Sequence, residues 1–171
     1  MMALMDAPAA GIRMIDVGGK PLTLRTARAS ARLECRPETV TRIRAGTLEK
    51  GDAVAAARLA AIMAAKRTSD VVPLCHPLPL DAVEARIDFA EPAAVVIETV
   101  VRATARTGVE MEALVAATAA ALTIYDMCKS IDPGMTITHV HLEEKTGGVR
   151  GDYFRAGGPD QLQRPEVAKE T

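Results

Sequence analysis

Asp126 and Lys129 stand three positions apart near the end of an alanine- and leucine-rich stretch, Thr107 to Lys129, reading TGVEMEALVAATAAALTIYDMCK. On a helix that spacing puts the two side chains together as an ion pair. Lys129 suits the negative end of the helix dipole. Asp126 opposes it, at about 0.3–1 kcal/mol unless a neighbour compensates. One reading is a surface ion pair. The other is an acid–base pair whose proton affinities are set by each other and by a bound molecule. The start of the stretch carries Glu110 and Glu112. Thr107 and Glu110 match a capping box, with Thr107 as N-cap. Glu112 is either a first-turn acid complementing the dipole or a second carboxylate of a site.

Spacing adds a constraint. Glu112 and Asp126 are fourteen positions apart, so they fall on nearly the same helix face but about 21 Å apart along the axis, at about 1.5 Å per residue. Two carboxylates that far apart cannot act on one atom. Either the site is a groove for a long ligand, such as a nucleoside triphosphate, or an oligomer brings different helix ends together. Lys50 and Lys66 pose the same problem, because they flank a second helix, and on that ground Lys50 of one subunit is expected to complete the site around Asp126 of another.

The loop Leu74-Cys75-His76-Pro77 is the next candidate. Pro73, Pro77 and Pro79 make residues 67–80 an extended, stiff loop and exclude a helix or a central strand there. A stiffly held histidine suits a ligand contact, or it is a loop residue that caps something. His76-Pro77 is a candidate cis bond, with trans the commoner form. A zinc set of Cys75, His76 and Cys128 matches no metal spacing. Lys50, ahead of Gly51 and a helix, resembles an anion site. Lys145, ahead of Thr146-Gly147-Gly148, could serve likewise, although neither lysine fits a phosphate-binding loop in which the lysine follows the glycines. Arg25, Arg28, Lys66 and Arg67 complete the basic group.

These groups need positioning elements. Leu22 to Glu34 alternates as a strand. Pro37 opens a short helix that Gly46 closes. Ala53 to Lys66 forms a second helix with Leu59, Ile62 and Met63 on one side. Ala82–Phe89 and Ala94–Ala105 make a hairpin turning at Glu91-Pro92. The long helix follows, and Met135 to Glu143 is a last strand, with Met135, Ile137 and His139 on one side. The expected fold is α+β and ferredoxin-like: a split βαβ, four-stranded antiparallel sheet with helices on one face. Residues 1–15 are expected as a flexible arm, 16–155 as one catalytic domain and 156–171 as a disordered tail.

The chain has 171 residues, 49% of them hydrophobic but only 2% aromatic, so its core must close on small side chains and its stability leans on subunit contacts. A net charge of −1 gives no global pull towards nucleic acid or membrane. Few aromatics argue against a single-strand binder. Three cysteines without CxxC spacing fit a reducing compartment. No secretory signal pattern appears, and no stretch is expected to span a membrane. The expected location is the cytoplasm.

KGDAVAAARLAAIMAAKRTSDVVPLCHPLPL, TGVEMEALVAATAAALTIYDMCK and EKTGG together resemble the MoaC family of cyclic pyranopterin monophosphate synthases, over about Met14 to Tyr153. The resemblance implies molybdenum cofactor biosynthesis. It implies a lyase that converts a cyclised dihydro-GTP, (8S)-3',8-cyclo-7,8-dihydroguanosine 5'-triphosphate, to cyclic pyranopterin monophosphate with release of pyrophosphate. It also implies a substrate supplied by a radical cyclase, a homohexamer built as a trimer of dimers with interfacial sites, and no cofactor or metal.

By resemblance Asp126 is the catalytic aspartate, Lys129 its lysine partner and Lys50 another catalytic lysine. Leu74, Cys75 and His76 match the substrate-binding loop, and Met111 with Glu112 a second binding segment. Glu110, Lys66 and Lys145 match charged site positions, and Arg25 is a looser match. Two departures stand out. KTGGVRGDY replaces a usual KSGGKSGD, with Val149 in a lysine position beside Arg150, and His141 replaces an arginine. The resemblance therefore carries no phosphate role onto the last loop. The rival reading is a nucleotide or pterin carrier without catalysis, and a metal-dependent hydrolase comes third.

Overall fold

The computed structural model describes residues 11–156. Residues 1–10 of the expected arm and 157–171 of the expected tail lie outside the described residues, and residues 11–17 hold no helix or strand. The elements are β1 (Thr23–Glu34), α1 (Pro37–Ala45), α2 (Ala53–Ala65), α3 (Thr68–Val71), β2 (Ala82–Ala90), β3 (Ala94–Ala105), α4 (Glu110–Cys128), β4 (Thr136–Thr146) and β5 (Tyr153–Phe154). All pairings are antiparallel, in the order β2-β3-β1-β4-β5. The four long strands give the expected ferredoxin-like order. The fifth strand is a two-residue addition that pairs Tyr153 with Lys145 and Phe154 with Glu144. The expectation that all of 67–80 is extended is corrected: Thr68–Val71 forms α3, a single turn that lies ahead of Pro73, where no proline yet restricts the chain. Among the described residues the cis bond is Glu91–Pro92, not His76–Pro77.

β1 shows why one sheet face is covered. Arg25, Ala27, Ala29, Ala31 and Leu33 are buried, while the residues between them are half-buried or exposed. α4 turns Ala113, Ala116, Ala117, Ala120, Ala121, Ile124 and Cys128 into the core. α2 buries Ala53, Ala57, Ala61 and Ala65, one per turn. Alanine stripes let two helices and a sheet pack closely, but each contributes little area, so the core gains few methylenes at about 0.8 kcal/mol each. The Leu59–Met63 side of α2 is not the packed one: Leu59 and Met63 are exposed, as is Leu122 on α4. α4 has the length and hydropathy of a membrane span, contrary to expectation, but half of that window is buried within the fold. Its apolar character serves the core between sheet and α2.

The regular alternation expected for β4 fails at its start. Register shifts against β1 leave Glu143 outside the pairing, and His139 adopts a φ of 51°. Asp132, in the turn after α4, is buried. It accepts the Arg36 N–H at 2.8 Å and the Thr39 hydroxyl at 2.9 Å. α1 lacks a capping side chain of its own, so Asp132 satisfies its first turn from across the fold and anchors the C-terminal end of α4.

Candidate active site

At the C-terminal end of α4, three charged groups from two segments meet. Asp52 caps α2 by accepting from Val54 N and Ala55 N, both at 2.9 Å. Gly51 takes a φ of 94°, a left-handed conformation that favours glycine. Lys50 is thereby turned onto α4: its Nζ lies 2.7 Å from Asp126 Oδ2 and 3.1 Å from the Asp126 carbonyl. Lys129 Nζ lies 2.8 Å from Asp126 Oδ1. Hydrogen bonds from Lys129 and then Lys50 hold the Asp126 carboxyl down to about 2, and Asp126 in turn raises Lys129. The two ammonium groups offset the dipole cost that made Asp126 conspicuous in sequence. They also leave it firmly ionised at neutral pH, so in this arrangement it orients the lysines and is a weak base.

Lys50 and Asp126 meet within one chain. The expectation that Lys50 and Asp126 come from different subunits is therefore corrected. A lysine just ahead of α2 reaches a residue near the end of α4 because the two helices run antiparallel.

That arrangement sends the other end of α2 to the start of α4. Cys75, on the proline-stiffened loop, donates its thiol to Glu112 Oε1 at 3.4 Å. Glu112 is 2% exposed, and among the described residues its Oε2 has no hydrogen-bond partner. Burial, with Glu110 adding to it, raises the Glu112 carboxyl above its usual range. Burial and the Glu112 charge push the Cys75 thiol up to about 11. Cys75 is thus a neutral hydrogen-bond donor, not a thiolate nucleophile. Leu74 and Met111 are exposed, and His76 is half-buried, beside this pair in the chain. Lys66 is exposed at the matching end of α2.

The capping box does not form. α4 begins at Glu110, its N-cap is Val109, and no side chain caps it. Glu110 instead folds over Gly108, where a Cβ would meet Glu110 Oε2 at 1.8 Å, and pairs with Lys145 at 3.2 Å. Arg25 is 8% exposed and gives its guanidinium to two carbonyls, Ala105 O at 3.3 Å and Gly147 O at 3.2 Å. The paired glycines permit this approach: a Cβ on Gly148 would lie 1.5 Å from Arg25 Nη1, and one on Gly147 2.1 Å from Leu24 O. Sequence reading gave no role to Lys20 and Arg106, which line the same cleft as Arg25, Glu110, Lys145 and Arg150. Only the closing of β1, β4 and the turn before α4 onto one another reveals it.

The candidate residues therefore fall into two clusters. Lys50, Asp126 and Lys129 lie at one end of α4. Cys75, Glu112, Glu110, Lys145 and Arg25 lie at the other, with Leu74, His76, Met111 and Lys66, about 21 Å away by helix rise. Cys75 contacts the first turn of α4 and Cys128 is its last residue, so the zinc set of Cys75, His76 and Cys128 does not assemble. Among the described residues no three metal-ligating side chains group together. One cluster holds an ionised carboxylate between two ammonium groups. The other holds a buried carboxyl whose proton affinity burial raises, near a basic cleft. The two carboxyl groups thus sit in environments that move their proton affinities in opposite directions.

The family model described as "MoaC family" matches residues 14–148. A cyclic pyranopterin monophosphate synthase of Desulfitobacterium hafniense is 50% identical over 143 residues, covering 84% of this chain and 88% of that one. Cyclic pyranopterin monophosphate synthase 1 of Mycobacterium bovis is 54% identical over 144 residues, covering 84% and 85%. The Herpetosiphon aurantiacus synthase is 54% identical over 142 residues, covering 82% and 86%. With the ferredoxin-like strand order and the two polar clusters of α4 in place, these matches show that the chain belongs to the MoaC family.

Proposed function

We propose that the protein is a lyase of molybdenum cofactor biosynthesis that converts a cyclised dihydro-GTP to cyclic pyranopterin monophosphate and releases pyrophosphate. The observation that carries this reading beyond family membership is the pair of oppositely tuned carboxyl groups at the two ends of α4. The reaction opens the guanine five-membered ring, closes a pterin ring and attacks phosphorus, and each step moves protons. Glu112, whose carboxyl burial holds above its usual range, suits proton donation. Asp126 becomes a stronger base when substrate phosphates draw Lys50 or Lys129 away from it. Those lysines then stabilise charge building on the leaving pyrophosphate. Leu74, Cys75, His76 and Met111 hold the heterocycle in this reading. Lys66, Glu110, Lys145 and Arg25 set the charge around it.

The two clusters lie about 21 Å apart by helix rise, and in this reading the site takes one end of α4 from each of two subunits. The exposed Leu59, Met63 and Leu122, lying between the two clusters, support burial of that helix face in an oligomer. We assign a homohexamer built as a trimer of dimers, a single catalytic domain over residues 16–155, a cytoplasmic location and an upstream radical cyclase.

The deciding experiment is incubation of the purified protein with the cyclised dihydro-GTP, with chromatographic detection of the cyclic pterin and an enzymatic assay for pyrophosphate. Both products form with the wild-type protein and fall by at least about a hundredfold with Asp126→Ala. Tight binding of the compound without product would favour the carrier reading.

A further inference from the structure

The last turn of α4 carries Asp126 and Lys129, and its end is closed in an uncommon way. No residue from Lys129 to Gly134 takes the left-handed conformation that often terminates a helix, and Lys129 keeps helical angles, φ −58° and ψ −24°. Other groups satisfy the last carbonyls. Tyr125 O accepts the Lys129 N–H at 2.8 Å, Asp126 O accepts Lys50 Nζ at 3.1 Å, and Cys128 O accepts the Ile131 and Asp132 N–H groups, both at 2.9 Å. The turn beyond is fastened on two sides. Asp132 ties it to α1. The Tyr125 hydroxyl ties it to α4, donating to the Pro133 carbonyl at 3.0 Å, eight residues on.

We propose that Tyr125 is a positioning residue for the Asp126–Lys129 pair: its hydroxyl, held on Pro133, locks the last turn of α4 so that the Lys129 ammonium stays on Asp126. Helix ends fray. Asp132 fixes the turn to α1, and Tyr125 fixes it back to the residue just ahead of the pair. The side chains of Lys129 and Asp126 are 57% and 53% exposed, and they meet only because a helix brings residues three apart together. Loss of helical angles at Lys129 would carry its stem away from Asp126 Oδ1, now 2.8 Å from Nζ. The Tyr125–Pro133 bond spans that pair. Its donor is half-buried with its ring on the core, and its acceptor belongs to a proline with fixed φ, so both ends are stiff. Tyr125 also stands four positions before Lys129, so the two side chains are neighbours on the helix surface. The Lys129 ammonium is raised first by its hydrogen bond with Asp126 and further by the nearby Tyr125 oxygen. Tyr125 thus acts through Lys129, whereas Lys50 reaches Asp126 from its own anchor at Gly51 and Asp52.

The link to catalysis rests on the functional reading above, and a titration without turnover separates the two. Carbon-13 NMR of labelled aspartate follows Asp126, faced by Lys50 and Lys129, in the wild-type protein, Tyr125→Phe, Lys129→Ala and Thr41→Ala. The last variant is the control, because it also removes one exposed hydroxyl-to-carbonyl bond, on α1. Asp126 titrates at about 2 in the wild type. In Tyr125→Phe its midpoint moves up part of the way that Lys129→Ala moves it, and in Thr41→Ala it stays. Tyr125→Phe and Thr41→Ala each lose no more than about 4 °C of thermal midpoint. With the cyclised dihydro-GTP, kcat falls on the order of tenfold in Tyr125→Phe with KM within about twofold, and neither changes in Thr41→Ala. An unmoved Asp126 midpoint in Tyr125→Phe, an equal movement in Thr41→Ala, or a wild-type kcat in Tyr125→Phe would overturn the assignment. A midpoint that moves only in Tyr125→Phe and Lys129→Ala, in a protein that makes no cyclic pterin, would keep the tether and remove the proposed reaction.

Discussion

Lys50 Nζ lies 2.7 Å from Asp126 Oδ2 although 76 residues separate them in the chain. The contact exists because Asp52 starts α2 two residues later and α2 runs antiparallel to α4. It has a chemical consequence, because Lys50 and Lys129 together hold Asp126 down to about 2. A carboxyl with a depressed folded value keeps its favourable pairing above its unfolded value and loses it as pH falls through about 2. Carbon-13 NMR of labelled aspartate should therefore show Asp126 still ionised at pH 3. In Lys50→Ala its midpoint should move up towards an ordinary aspartate value. An unchanged midpoint would mean that Lys50 does not hold the carboxylate in solution.

Because Lys50 and Asp126 occupy one end of α4 in one chain, subunit mixing has a defined pattern. Asp126→Ala mixed with Lys50→Ala should recover almost no activity, since every site would then lack one member of that cluster. Asp126→Ala mixed with Glu112→Gln should recover up to about a quarter of wild-type turnover, the statistical share of sites built from two intact ends. Steady-state assay after verified subunit exchange reads the difference. Equal recovery in both mixtures would refute the two-ended site.

Glu112 makes the opposite pH prediction from Asp126. Its folded value is raised, so its contribution to stability is fully present below the unfolded glutamate value and is lost as pH rises through the folded one. Glu112→Gln removes a buried charge, keeps an acceptor for the Cys75 thiol and cannot donate a carboxyl proton. Its thermal midpoint should exceed that of the wild type by on the order of 2–4 °C at pH 8 and lose that advantage at pH 4, while turnover falls sharply. Differential scanning calorimetry at the two pH values checks the sign.

Asp132→Ala should destabilise the fold without touching a reacting group. It leaves the Arg36 N–H and the Thr39 hydroxyl without their acceptor, at a cost of about 1–3 kcal/mol. Urea denaturation should show a lower midpoint at an unchanged slope.

The alanine seam between α2 and α4 should not tolerate larger side chains. Ala61 is fully buried on the packed stripe of α2, and Ala61→Leu should cost about 1–3 kcal/mol by overpacking. Leu59→Ser, on the outward side of the same helix, should leave the folded chain intact and weaken the oligomer, as read by analytical ultracentrifugation.

Much was legible in the residues themselves. Periodicity two and the Glu91-Pro92 turn placed the strands and the hairpin, and Pro37 with Gly46 bounded α1, because these signals act over a few residues. The pairing of Asp126 with Lys129 follows from helix spacing, and the separation of Glu112 from Asp126 from helix rise. Family motifs named the same side chains. What the sequence could not decide was contact between distant segments and which face of an element turns inward. Thr107 and Glu110 satisfied a local capping pattern, but Lys145, brought in by β4, took the Glu110 side chain instead. Leu59 and Met63 looked like a packing face, yet the alanines of α2 pack, because only small side chains let that helix lie against α4. The meeting of Lys50 with Asp126, and of Arg106 and Arg150 with buried Arg25, depends on antiparallel helices and on strands crossing the sheet. Those relations arise from long-range packing, which only the tertiary structure determines.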